Sequence, residues 1–186
     1  MASTAYDTAC EAIDRANAED PKGYEVLYAQ RMVDWAKKLA PGASEELLLA
    51  VRAQHVRRWT VPRSTYPEGR AGYLKWREGL KKFHADTLGA IMTAAGYGAE
   101  AIEKARNLLV RKNLSTDAEG QTLEDAACLV FLQYEFAEFS AKTEPDKMVD
   151  IVRKSWQKMS MAAREAALQL QFGAEELGLV KRALEK

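Results

Sequence analysis

Residues 123–136, LEDAACLVFLQYEF, form a stretch whose apolar residues recur at the spacing of an α-helix. Glu124 and Asp125 are its only polar residues between Leu123 and Leu132. Apolar side chains follow Asp125 at one and two helical turns, and apolar residues also fill the other sides of the helix. A helix that is apolar all round is buried at the centre of a fold. This stretch therefore predicts a helical core.

The rest of the chain has the same helical character. Pro, Gly and capping residues separate helices that we predict at about residues 3–17, 23–40, 44–56, 74–95, 99–112, 122–142, 146–170 and from 174 onward. No segment shows the period-two alternation of a half-buried strand. We therefore predict an all-α fold consisting of one domain, residues 1–186, built as a helical bundle.

Composition places the chain among globular proteins. It has 186 residues, of which 47% are hydrophobic and 29% charged, and its apolar runs are too short to span a bilayer. The acidic N-terminus lacks the apolar stretch and cleavage site of a secretory signal. Cys10 and Cys128 are not spaced like metal ligands, which is typical of reduced thiols. We expect a cytoplasmic protein that does not associate with membranes.

Positive charge is concentrated in one segment although the net charge is zero. Residues 52–82 contain nine Lys or Arg and two Glu, so the remainder of the chain is acidic. This asymmetry favours a local anion site over a surface coated for nucleic acid. The alternative is an ordinary solvated helix face.

Five ionisable residues lie at the polar ends of apolar helical stripes: His55, His84, Lys112, Glu124 and Asp125. Taken singly, each has a structural explanation. A histidine is often bonded to a backbone carbonyl in the core, a lysine can extend from a helix end to solvent, and acids favour helix N-termini. If the stripes face one core, these groups meet in one pocket, which makes them candidates for a functional site.

The order of these motifs resembles the HD-domain superfamily of metal-dependent phosphohydrolases. The resemblance covers residues 24–132 and rests on the segment from Tyr24 to Trp59, on KFHADTLGAIMTAAGYG and on LEDAACL. It implies an HD-like core at about residues 24–142, followed by C-terminal helices at 146–186. More closely, the whole sequence resembles the uncharacterised family called domain of unknown function 4202. It shares with that family the strings QHxxRW, PRSxYPxGRxGYLxWR and LEDxACLVFL.

The HD resemblance implies ligands for a divalent metal. His55 matches the histidine of the His-Asp pair, His84 matches a histidine of the second metal, and Asp125 matches the final aspartate. The chain departs from the pattern at three positions, where Val56, Tyr28 and Lys112 replace metal ligands. We therefore expect no stoichiometric metal. A site of the three matching residues remains the alternative, because three ligands suffice for catalytic zinc.

Protein cations can replace metal ions as the phosphate-binding groups, because arginine pairs with phosphate through two parallel hydrogen bonds. The candidates are Arg58, Arg63, Arg70, Lys82 and Lys112. Trp59 and Tyr66 are candidates for stacking on a ligand base, with core packing as the alternative.

These observations predict an HD-like protein that binds a phosphorylated small molecule or a nucleotide. Whether it is also a phosphohydrolase with a remodelled metal site is left open. The candidate catalytic residues are His55, His84, Glu124 and Asp125, with a histidine as general acid or base and Asp125 as its orienting carboxylate. The alternatives are a non-catalytic module that binds RNA or nucleotide, and a scaffold protein that has lost its metal.

Overall fold

A computed structural model describes residues 3–110 and 117–185, and these contain α-helices and short turns but no strand. The predicted all-α class is confirmed. The chain divides into two compact units, residues 1–123 and 124–186. The boundary falls inside a helix, and the assignment of one domain stays a prediction.

The first unit contains α1 (Ala5–Ala18), α2 (Tyr24–Leu39), α3 (Glu45–Arg52), 3-10 turns at Arg58–Thr60 and Arg63–Thr65, α4 (Gly69–Ala94), α5 (Ala99–Val110) and the start of α6 (Ala118–Val130). The second contains the rest of α6, a π-helical turn (Phe131–Glu135), α7 (Phe136–Ser140), α8 (Pro145–Lys158), α9 (Met161–Leu168) and α10 (Ala174–Leu184). None of the described helices has both the length and the apolar character needed to cross a bilayer.

Local hydrogen bonds explain where the first helices begin. The Thr4 hydroxyl accepts from the Asp7 N–H, and the Asp7 carboxylate accepts in return from Thr4, which forms a capping box at α1. The Ser44 hydroxyl accepts from the Leu47 N–H at 3.2 Å and caps α3. Asp20 caps α2, since its carboxylate accepts the backbone N–H groups of Tyr24 and Glu25. These caps occupy N–H groups that the helices themselves cannot satisfy.

The core of the first unit lies among α1 to α5. Helix α4 packs along α5 and against α1, while α3 packs against α2 and α5. The largest fully buried side chains of this unit are Ile13, Met32, Leu47, Leu49, Leu88, Met92 and Leu123. Their burial supplies the main free energy that holds these helices together.

Helix α3 ends at Arg52, four residues before the predicted end at Val56. Residues 53–57 form successive turns, in which the Val56 N–H donates to the Ala53 carbonyl. Arg57 has φ +53°, in the left-handed region that a right-handed helix cannot contain. This turn points consecutive side chains in directions that a continuous helix would not allow.

The segment between the helices predicted at residues 44–56 and 74–95 contains more regular structure than that prediction gives it. It contains 3-10 turns at Arg58–Thr60 and Arg63–Thr65, and α4 begins at Gly69 rather than near Leu74. Residue 72, inside α4, has to be glycine, because any side chain there would overlap the carbonyl oxygen of Pro67. Glycine therefore permits the close approach that lets α4 start early.

The second unit is built around α8 and α10, which pack together, and α10 also contacts α7. Phe136, Met148 and Val152 are buried in it. The predicted helix at 122–142 contains the π-helical turn, and the predicted helix at 146–170 is divided into α8 and α9. Ser160 makes this division, because its hydroxyl caps α9 by accepting the Ala163 N–H at 3.2 Å.

Candidate functional site

A stacked pair of aromatic rings lies at the centre of the candidate site in the first unit. The rings of His55 and Tyr28 are parallel within 8°, with centroids 3.8 Å apart. Tyr28 lies on the second turn of α2 and is buried, whereas His55 lies on the turn that follows α3. The stack fixes the plane of the imidazole ring.

His84 is the second imidazole of the site, on the buried side of α4. Its ring centroid is 6.2 Å from that of His55, so the structure brings the two predicted histidines together. Its Nδ1 lies 2.9 Å from the carbonyl oxygen of Val56, which accepts the Nδ1 proton and leaves the lone pair on Nε2. Burial lowers the pKa of His84 to about 3, and electrostatic interactions with His55 and Arg58 add to this shift. His84 is therefore neutral at physiological pH, and its carbonyl bond is the structural role that the sequence left as an alternative.

Glu25 is a site residue that the sequence analysis missed. Its Oε2 lies 3.4 Å from His55 Nδ1, and its side chain is only 6% exposed. Burial raises the pKa of Glu25 to about 7; the Arg58 charge opposes this shift and the Asp20 charge adds to it. An acid in the first turn of a helix is ordinarily read as favourable to the helix dipole. Its position one turn before Tyr28, on the buried face of α2, was the available signal.

A groove of about 450 Å³ opens beside these residues. It is lined by Asp20, Pro21, Lys22, Tyr24, Glu25, Arg58, Trp59, Val61, Pro62, Arg63 and Trp76. The Arg58 guanidinium carbon lies 5.0 Å from the ring centroid of Trp76, within cation–π range. The Trp76 indole N–H donates to the Val61 carbonyl at 2.9 Å, which holds the ring in place. The groove thus combines a positioned arginine with aromatic walls.

Arg63 and Tyr66 have structural contacts in the same region. The Arg63 guanidinium donates to the carbonyls of Tyr66 at 2.9 Å, Pro67 at 2.8 Å and Gly69 at 3.3 Å, and so supports the start of α4. The Tyr66 hydroxyl lies against Gly79 of α4, where a side chain would contact it at 2.9 Å. Arg63 lines the groove, but much of its hydrogen-bonding capacity is used by these carbonyls.

Lys82 and Arg70, two further predicted phosphate ligands, do not line the groove. Lys82 is 77% exposed and pairs with Asp86 at 2.6 Å, one helical turn away on α4. Arg70 is exposed on the first turn of α4 and does not line the groove. Lys112 lies outside the described residues. Trp59 lines the groove as a half-buried ring, as stacking on a ligand would require.

Glu124 and Asp125 belong to the second unit, and both are buried. Helix α6 begins at Ala118, so neither acid lies in the first turn where the capping alternative would place it. Asp125 Oδ1 accepts the Ser160 N–H at 2.9 Å, and Glu124 Oε1 lies 3.4 Å from Lys158 Nζ. Each carboxylate has a donor or cation beside it, as a buried charge requires. Their proposed meeting with the histidines stays a prediction.

The motifs that surround this site also define the chain's relatives. A family model described as "Domain of unknown function (DUF4202)" matches residues 7–180. The chain belongs to this family. No curated protein and no solved structure matches it.

For this member of the family, the resemblance to HD-domain phosphohydrolases stays a prediction, and the metal centre it implies does not fit the residues present. Val56 is fully buried and its side chain has no ligand atom, while its carbonyl is used by His84. Over residues 3–110 and 117–185, no group of three or more His, Cys, Asp or Glu side chains is arranged to hold a metal ion.

Proposed function

We propose that this protein binds a phosphorylated small molecule or a nucleotide in the groove beside His55, with Arg58 as the main phosphate-binding cation. One observation carries the proposal: within the part of the chain that the structure describes, no carboxylate lies within 4.0 Å of the Arg58 guanidinium. Arginine is mostly exposed in proteins and is almost never fully buried unless it is paired. An arginine held over Trp76 without an anion fits a site whose anion is the ligand.

The aromatic walls support a ligand with a planar or apolar part. Tyr24 and Trp59 line the groove, and Pro21, Val61 and Pro62 add apolar surface. Sites for small molecules are commonly concave and mostly apolar, with a few polar groups that orient the ligand. A volume of about 450 Å³ lies within the range of such sites.

If the protein is also an enzyme, the reaction that we propose is hydrolysis of the bound phosphate ester. His55 is a better general base than His84, because the low pKa of His84 makes its imidazole a weak base near neutral pH. Glu25 Oε2 lies 3.4 Å from His55 Nδ1, which makes Glu25 a second candidate, beside Asp125, for the carboxylate that orients the base. A carboxylate that orients an imidazole is a recurring arrangement in acid–base catalysis.

The test is a thermal-shift and calorimetric screen with inorganic phosphate, nucleoside monophosphates and hexose phosphates. A ligand at 100 times its Kd should stabilise the fold by about 2.7 kcal/mol and raise Tm on the order of 5–10 °C. Arg58→Ala should abolish this rise. Arg77→Ala is the matched control, because Arg77 makes a similar contact with Tyr73 but does not line the groove.

The outcomes separate the hypotheses. No shift with any phosphorylated ligand would reject the proposal and favour the scaffold alternative. Binding of single-stranded RNA whose affinity falls steeply with salt, and which Arg77→Ala weakens as much as Arg58→Ala, would favour the RNA-binding alternative.

A further inference from the structure

Most polar groups that line the groove are already committed to the protein. The Asp20 carboxylate accepts three backbone N–H groups, from Lys22, Tyr24 and Glu25. The Arg63 guanidinium is bonded to backbone carbonyls, and the Trp76 N–H donates to Val61. These groups build the walls of the groove, so they contribute little to the choice of ligand.

Three charged groups remain, the exposed Lys22 and the oppositely charged pair of half-buried Arg58 and buried Glu25. Both line the groove, and the Arg58 charge is close enough to affect the pKa of Glu25. Their charged atoms nevertheless do not come within 4.0 Å of each other. Two opposite charges in a partly desolvated groove attract strongly, and keeping them apart has a cost unless another group lies between them.

Glu25 also has capacity for another hydrogen bond. A carboxylate can accept about four hydrogen bonds. Oε2 faces His55 Nδ1 at 3.4 Å, and no well-aligned hydrogen bond to this oxygen is present among the described residues. A buried carboxylate with few donors favours a ligand that supplies one, above all a positively charged donor.

We propose that the ligand is a phosphate monoester that also carries an ammonium group, with its phosphate on Arg58 and its ammonium on Glu25. The inference rests on the proposed function and names the chemical class of its ligand. A single phosphate fits better than a triphosphate, since among the described residues the groove cations not bonded to backbone carbonyls are Arg58 and the exposed Lys22. Such a ligand pairs with both Arg58 and Glu25 at once.

The experiment compares ligands that differ only in the amine. Calorimetry at pH 8 measures phosphoethanolamine against ethyl phosphate, and glucosamine 6-phosphate against glucose 6-phosphate. In at least one pair, the wild-type protein should bind the amine-bearing member about 10-fold more tightly, as a charge-assisted hydrogen bond implies. Glu25→Gln should reduce this ratio to about one while it retains affinity for the ligand without an amine.

Three controls make the result decisive. Arg58→Ala should weaken binding of both members of a pair equally. Glu19→Gln changes an exposed acid outside the groove and should keep the wild-type ratio. If Glu25→Gln does not fold, Glu25→Asp, which keeps the charge on a shorter side chain, should retain part of the preference.

The two proposals fail differently. Equal affinities within both pairs, or a preference that Glu25→Gln leaves unchanged, would overturn the ammonium assignment while phosphate binding stands. Absence of binding by all four esters would reject phosphate binding in this groove, and the ammonium assignment with it.

Discussion

His55 lies flat on Tyr28, with the two ring centroids 3.8 Å apart. This stack joins α2 to the turn that follows α3, although Tyr28 and His55 are 27 positions apart in the sequence. Under the HD resemblance, Tyr28 replaces a histidine that would share a metal with His55. In the structure, the Tyr28 ring covers the imidazole of His55 and fixes its plane.

The stack should contribute measurable coupling to stability. In a double-mutant cycle with Tyr28→Leu and His55→Ala, urea unfolding should give a coupling free energy of about 0.5–1.5 kcal/mol, the usual value for an aromatic pair. The cycle of His55→Ala with Tyr73→Leu, an exposed tyrosine on α4, should be additive. Additivity in the first cycle would show that the two rings are merely adjacent.

His84 should make the protein less stable in acid. Its pKa is about 3 in the fold and 6.5 when unperturbed, so the native state binds fewer protons than the unfolded chain between these values. Stability should therefore fall as pH decreases below 6.5, with a slope of up to about 1.4 kcal/mol per pH unit. In His84→Gln, the unfolding free energy measured by urea titration should depend on pH less steeply, by up to this slope. An unchanged curve would mean that His84 does not stay neutral in the fold.

Glu25 should have the opposite effect on the pH dependence. Its pKa rises from 4.5 to about 7, so the native state holds a proton that the unfolded chain has lost between these values. Its contribution to stability is present below pH 4.5 and is lost as pH rises through 7. The difference in unfolding free energy between Glu25→Gln and the wild type should therefore be more favourable to the variant at pH 8 than at pH 5. Each 1 kcal/mol of this difference should raise Tm by about 2–4 °C. Equal differences at both pH values would contradict this assignment.

Gly72 should tolerate no side chain. In Gly72→Ala the new methyl group would overlap the Pro67 carbonyl oxygen, and the start of α4 would have to shift. We expect a loss of about 1–3 kcal/mol or more in the free energy of unfolding. Gly42→Ala is the control, because nothing lies within 4 Å of the new side chain and φ is unstrained there. Similar stability of the two variants would be inconsistent with this packing.

The purified protein should carry no stoichiometric divalent metal. Val56 and Tyr28 replace ligands of the implied centre, and even changes around the ligands usually cost about 10-fold to 100-fold in metal affinity. Elemental analysis of protein prepared without added metal is the measurement, and a chelator should leave folding and phosphate binding intact. One equivalent of zinc, manganese or iron that is lost in His84→Ala or Asp125→Ala would restore the metallohydrolase hypothesis.

The helices were predictable because each carries its own signals. Ser44 and the prolines and glycines between helices mark the boundaries, and apolar residues at helical spacing mark the buried faces. The end of α3 was not predictable, since residues 53–56 have ordinary helix-compatible side chains. Arg57 has a left-handed backbone conformation that is incompatible with a continuing α-helix, and the sequence has no glycine at this position to indicate it.

The site was predictable only in part. The sequence identified His55, His84 and Arg58 as scarce or concentrated ionisable groups in one segment, and the structure places them around one turn. It did not identify Glu25, whose sequence neighbours give it the appearance of an ordinary helix-starting acid. Its role depends on a contact with His55, about 30 residues later in the chain, and the local spacing of apolar residues does not predict such a contact.

Sequence by itself determined the helical class, the family and the residue types available for chemistry, because helix spacing, capping and motif strings are local properties of the chain. Tertiary structure alone decided which of those residues have hydrogen-bonding groups available to a ligand. Arg63 and Arg58 look alike in the sequence, yet the fold bonds Arg63 to three carbonyls and leaves Arg58 over Trp76 without an acid within 4.0 Å in the described residues. A hydrogen-bonding group is available to a ligand only where packing has not already satisfied it, and packing is a property of the folded chain.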